Sequence, residues 1–137
     1  MAKPRNFLFI CKGNDARSQM AEGFARSIAN GSINVWSAGV NPKGLNRHAV
    51  EVMAELGIDI TKQKTLEFKA VPVAKIDTII TLSSDSDPPP KLERKITTIH
   101  WPLNDPTTTA GSDAEVKKAF RAVRDEIRNR VQVLMVG

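Results

Sequence analysis

Phe7-Leu8-Phe9-Ile10-Cys11-Lys12-Gly13-Asn14-Asp15-Ala16-Arg17-Ser18 runs from an apolar stretch through a glycine-containing loop into the start of a helix. Four apolar residues in a row suit a strand buried on both faces. Beyond the loop, Met20, Phe24 and Ile28 recur every four residues with Ala21 and Ala25 beside them, which predicts a helix stopped at Asn30-Gly31. Strand, tight loop and helix gather several backbone N–H groups and a helix N-terminus around one point, a field that favours an anion. Cys11, the only cysteine in the chain, stands there. The same field favours thiolate over thiol, so Cys11 is a candidate nucleophile. Arg17 adds a planar fork of donors suited to a tetrahedral oxyanion. A lone cysteine is otherwise most often a small buried hydrophobe, and its spacing to an arginine is a weak signal by itself. What singles out Cys11 is its place at a strand end, in a loop that matches neither of the familiar glycine-rich phosphate patterns.

Outward from this segment, strand and helix periods alternate, which predicts a parallel α/β sheet with crossovers. Val35 and Trp36 lie in a short second strand ending at Ser37-Ala38-Gly39, and Asn41-Pro42-Lys43-Gly44 is a turn. A helix is expected from Asn46 to Leu56, with Val50, Met53 and Leu56 inward and Gly57 as its stop. Ile76 to Leu82 is a third strand, and Ser83-Ser84-Asp85-Ser86-Asp87-Pro88-Pro89-Pro90 a stiff surface connection. Ile96 to Trp101 forms a fourth strand. From about Asp113 onward, Val116, Phe120, Val123, Ile127 and Val131 give one apolar helical face. No repeat or linker interrupts the 137 residues, so residues 1–137 are read as a single domain.

Hydrophobic residues at 41% and charged residues at 26% fit an ordinary soluble domain without disorder. The net charge of +5 is spread among carboxylates, and the chain has no tyrosine for stacking. Both facts argue against nucleic acid, while a mildly positive surface attracts a small anion. No stretch approaches the ~20 apolar residues of a membrane span, and no secretory signal pattern is present. A cytoplasmic location, with no membrane association, is expected. A metal site is not expected, because His48 and His100 share no ligand spacing with Cys11. His48 is read as a solvated helix residue and His100 as a packed or surface one.

In an open parallel sheet, ligands bind at the carboxyl ends of strands. Cys11, the Ser/Asp/Pro stretch and Pro102-Leu103-Asn104-Asp105-Pro106 follow strands one, three and four. Asp105, brought over the Cys11 loop, would supply a proton to a leaving oxygen. An Asp-Pro pair also starts turns, and that alternative stands beside the first. Asp77, Asp85 and Asp87 are weaker candidates for the acid.

Cys11 through Gly23 resembles the opening of the arsenate reductases built on the low-molecular-weight protein tyrosine phosphatase fold. The resemblance continues through Ser37-Ala38-Gly39, Arg47 to Ile60, Asp77 to Leu82, and His100 to Pro106. It implies a three-layer α/β/α domain with a four-stranded parallel sheet. Cys11 would be the nucleophile and Asp105 the general acid, with Ser18 hydrogen-bonded to the thiolate and Asn14 bracing the loop. The backbone amides of Lys12, Gly13, Asn14, Asp15, Ala16 and Arg17, with the Arg17 side chain, would bind the oxyanion.

Two branches of that superfamily share the first step. A phosphatase passes a phosphoryl group through phosphocysteine to water, whereas an arsenate reductase forms a thiol-arsenate adduct that a second thiol must resolve. Thioredoxin-coupled members carry further thiols in the chain. Here Ser83 stands where the first is expected, prolines occupy the region of the second, and Ala16 replaces a cysteine often found in the loop. An internal relay is impossible with one sulfur. The resemblance therefore implies no bound cofactor and an external reductant: glutathione, mycothiol or a redox protein acting as thiol donor. Gln19 in place of a common proline, and no aromatic residue directly after Asp105-Pro106, fit a small inorganic oxyanion, arsenate or phosphate, better than a phenyl ester. A non-catalytic oxyanion-binding regulator is the third alternative, motivated by Asp15, whose carboxylate is expected to point outward. A monomer is expected.

Overall fold

β1 (Arg5–Cys11) lies inside the sheet because its apolar run has side chains for both faces. Phe7, Phe9 and Cys11 join one buried cluster, Leu8 and Ile10 the other, as the two-residue period of a strand requires. The structure is a computed structural model describing residues 5–13, 15–29, 33–83 and 96–136. Asn14, the Asn30-Gly31 stop and the stretch from Ser84 to Pro90 with Asp85 and Asp87 lie outside the described residues.

β2 (Ile33–Gly39) pairs with β1 in parallel from Arg5↔Ile33 to Cys11↔Gly39. β3 (Thr78–Ser83) lies on the other side of β1, and β4 (Thr97–Pro102) lies outside β3, giving the order β2-β1-β3-β4 with every pair parallel. β3 begins later than expected. Ahead of it the Asp77 carboxylate accepts the Asn6 N–H at 2.8 Å, which fixes Asp77 at the end of the sheet away from Cys11 and removes it as an acid candidate.

Among the described residues, three helices cover the face that carries Phe7, Phe9 and Cys11: α1 (Arg17–Ile28), α2 (Arg47–Ala54) and α3 (Asp113–Val136). Met20, Phe24, Met53, Phe120, Ile127 and Val131 fill the space between them and the sheet. On the other face Leu8, Ile10, Val71, Ile76 and Ile79 are covered, among the described residues, by single 3-10 turns at Phe68–Ala70 and Val73–Lys75. The sheet is thus the middle layer of a three-layer α/β/α fold. The 3-10 turns carry no sequence period long enough to be anticipated.

α2 departs from expectation in its length and its inward face. Asn46 caps its start, accepting the N–H groups of His48 and Ala49 on its side chain. Its end comes at Ala54, because the N–H of Gly57 reaches back to the Ala54 carbonyl and that of Ile58 to the Met53 carbonyl, with Gly57 at φ 76°. Ala49, Val52 and Met53 are the buried residues, while Val50 and Leu56 are half-buried. His48 is not solvated: its ring lies 5.3 Å from that of Phe120, and its Nε2 is 2.8 Å from the Asp113 carboxylate.

Candidate active site

In this strand order, chain connections leave in opposite directions on the two sides of β1, which opens a crevice at its carboxyl end. Cys11 is the last residue of β1. The loop after it is held by the segment 40–46. The N–H groups of Val40, Asn41, Lys43 and Asn46 donate to the carbonyls of Cys11, Lys12, Gly13 and Asp15 at 3.4, 2.8, 2.8 and 2.9 Å. In a trans peptide the carbonyl and the next N–H point opposite ways. Turning those carbonyls toward residues 40–46 therefore turns the N–H groups of Lys12, Gly13 and Ala16 away, toward the concave side. α1 then starts at Arg17, with no capping side chain and no acid in its first turn. That leaves its positive end for an anion.

Cys11 is buried, and its Sγ lies 2.9 Å from the Oγ of Ser18, itself fully buried in the first turn of α1. Arg17, 2% exposed, donates from Nη1 to the Leu103 carbonyl at 2.9 Å and brings Nη2 to 3.6 Å from the Asp105 carboxylate. One guanidinium thereby ties the loop after β4 to the loop after β1. Asp105 starts the turn expected of an Asp-Pro pair and also lies beside the Arg17 guanidinium. Its Oδ1 accepts the Thr107 N–H at 3.0 Å and the Thr107 hydroxyl at 2.7 Å, starting the 3-10 turn Pro106–Thr108, while its Oδ2 faces Arg17. Thr107 was not anticipated as an orienting residue. The signal was present, since Asp-Pro-Thr places a cap, a proline at the first turn position and a donor two residues on.

Asp15 does not point outward. Its carboxyl accepts its own backbone N–H and folds over Gly13, where an added Cβ would stand 2.7 Å from Oδ1. Burial raises its proton affinity above the ordinary carboxylate range, countered in part by its own N–H; the Asp105 charge raises it further, and Lys43 and Arg17 act against that. Gln19 is fully buried and donates to the Lys64 carbonyl, while Gln63 donates to the backbone and side chain of Gln19. The residue that replaces proline thus anchors a neighbouring loop. Ser83 is buried at the end of β3, and its Oγ has no hydrogen-bond partner among the described residues. Strand alternation puts it on the face of Ile79 and Thr81, opposite to Cys11. His100 is exposed and bonds Thr81 through Nδ1 at 2.7 Å.

Residues 6–136 match the family model of the low molecular weight phosphotyrosine protein phosphatases, a span that includes every residue of this site. The chain belongs to that family. Within the phosphatase family it is 40% identical to arsenate reductase 1 of Staphylococcus epidermidis over 129 residues, 93% of each chain. It is 38% identical to the arsenate reductase of Halalkalibacterium halodurans over 125 residues, 90% of each. Among solved structures, an arsenate reductase in the phosphate binding state superposes with a TM-score of 0.82 at 32% identity, covering 96% of this chain and 97% of that one. No helix among the described residues of this phosphatase-family chain is long and apolar enough to cross a membrane. Nor do the described residues gather three or more His, Cys, Asp or Glu side chains that could hold a metal ion.

Proposed function

We propose that this chain reduces arsenate to arsenite, with Cys11 as nucleophile and the electrons supplied by thiols from outside the chain. The observation that carries this is the setting of the one sulfur: Cys11 Sγ lies 2.9 Å from the Ser18 hydroxyl, at the base of a loop whose carbonyls are tied away from the concave side. The names of the relatives support arsenate as the oxyanion. In the first step the N–H groups of Lys12, Gly13 and Ala16 and the Arg17 guanidinium hold the oxyanion. Asn14 is assigned to the same cradle from the sequence. The Cys11 thiolate, with Ser18 donating to it, forms an S–As bond, and one As–O bond breaks as Asp105 protonates the departing oxygen to water. An external thiolate then attacks Cys11 Sγ. An S–S bond forms, the S–As bond breaks, and its electron pair goes to arsenic, which leaves as arsenite. A second external thiolate attacks the sulfur of the first, forming an external disulfide and releasing Cys11 as thiolate, so two thiols are oxidised for the two electrons arsenic receives.

The reductant is a low-molecular-weight thiol such as glutathione or mycothiol, or a redox protein, since neither Ser83 nor Ala16 can exchange disulfides. Residues 1–137 act as one domain and as a monomer, in keeping with a site assembled from one chain's residues. A cytoplasmic setting supplies the thiols. Hydrolysis of a phosphate ester through phosphocysteine is the second reading, favoured by the lone thiol because that reaction needs no electron donor. The test incubates the purified chain with arsenate and each thiol in parallel, and with p-nitrophenyl phosphate alone. Arsenite formation that needs an added thiol and disappears in Cys11→Ser is the expected result. Ester turnover without any arsenite would replace the reductase with the phosphatase. Oxyanion binding without turnover of either kind would leave the regulator.

A further inference from the structure

An acidic residue inside an anion-binding loop is an electrostatic cost that needs a reason. The Asp15 carboxyl is not directed to solvent: it is half-buried, lies over Gly13, accepts its own N–H, and feels the charges of Arg17, Lys43 and Asp105. Its backbone is fixed independently, since the Asp15 carbonyl accepts the Asn46 N–H at 2.9 Å and Gly13 is held by Lys43. The carboxylate therefore lies on the loop itself, over Gly13 and within the fields of Arg17, Lys43 and Asp105.

We propose that Asp15 makes the loop selective for tetrahedral oxyanions that still carry a proton, hydrogen arsenate and hydrogen phosphate, against sulfate, which carries none. The inference rests on the reading of this loop as an oxyanion site and adds its specificity. A protonated oxyanion turns its O–H to the carboxylate and gains a charge-assisted bond while its other oxygens take the amides and Arg17. Sulfate offers only acceptors, so it meets Asp15 as two acceptors facing each other in a partly desolvated space. Burial strengthens the effect, because a carboxylate with raised proton affinity is the better acceptor of an O–H. Gly13 is part of the device, since any side chain there would occupy the space of the Asp15 carboxyl.

The test measures binding of inorganic phosphate and of sulfate to the full chain by calorimetry near neutral pH, in the wild type, Asp15→Asn and Asp15→Ser. The expected wild-type preference for phosphate over sulfate is tenfold or more. In both variants sulfate tightens and the preference shrinks toward one. If both anions instead tighten by the same factor and the preference persists, Asp15 acts only as a repelling charge and the proposal fails. If phosphate still binds but its preference over sulfate is absent in the wild type, it fails as well. Binding of neither anion to any of the three proteins would overturn the oxyanion site itself, and the proposed function with it.

Discussion

Replacing Ser18 with alanine isolates the contact between the helix and the sulfur. Ser18 Oγ lies 2.9 Å from Cys11 Sγ, and both residues are buried, so water does not take over the bond when the hydroxyl is removed. A hydrogen bond to a charged group contributes about 1.5–3 kcal/mol, which corresponds to roughly a 10- to 150-fold change in the ratio of thiolate to thiol. The fold should feel the change far less, since removing a single hydroxyl leaves a small void and strands no strong donor. The assay is the rate of alkylation of the protein by iodoacetamide as a function of pH. With one cysteine in the chain, every alkylated thiol is Cys11. The midpoint of the rate profile in Ser18→Ala is expected to lie about 1–2 pH units higher. A shift in midpoint is diagnostic where a uniform change in rate is not, because access to a buried sulfur scales the whole curve. An unchanged midpoint would refute the argument that Ser18 holds Cys11 as an anion.

Asp105→Asn and Asp105→Ala separate the two duties of that residue. Both should lose turnover by about 10²–10⁴-fold, but only alanine, which cannot accept from Thr107, should also lower the stability of the fold, by about 1 kcal/mol in a denaturant titration. Glu55 should govern part of the acid limb of stability. Its hydrogen bond with Arg121, followed by that with Arg124, lowers its pKa from 4.5 to about 2, so its stabilisation is fully present above 4.5 and is lost as pH falls toward 2. Thermal melts of Glu55→Gln across that range should show a flatter acid dependence than the wild type. Gly57→Ala should cost about 1 kcal/mol and lower the melting temperature by roughly 3–5 °C, because φ is 76° there and an added Cβ meets nothing within 4 Å, leaving only backbone strain.

The strands and the nucleophile were legible because their signals are local. Phe7 to Ile10 is apolar on both sides of the pleat, which only a strand inside a covered sheet needs, and Cys11 follows it directly. The inward face of α2 was not legible. Val50, Val52, Met53 and Leu56 offer two overlapping apolar stripes, and packing against α1 and α3 chose the one through Ala49 and Val52. Asp105 was singled out for its chemistry, but its partner Arg17 lies on a separate stretch of chain that only the fold brings to it. Asp15 was misjudged for the same reason. Its carboxyl lies over Gly13 in a loop whose carbonyls are tied to residues 40–46, and a loop's polar residues carry no period from which such folding is read.

The clasp between residues 11–15 and 40–46 uses main-chain atoms on both sides. Mutation can therefore exchange Lys12, Asp15 or Lys43 without loosening the curvature of the cradle, whereas shortening the 40–46 connector by a single residue would shift every bond out of step. The scaffold separates a shape that is inherited whole from a chemistry that can drift one side chain at a time. Such a division lets descendants of one ancestral fold exchange their preferred guest while keeping the same sulfur in the same seat.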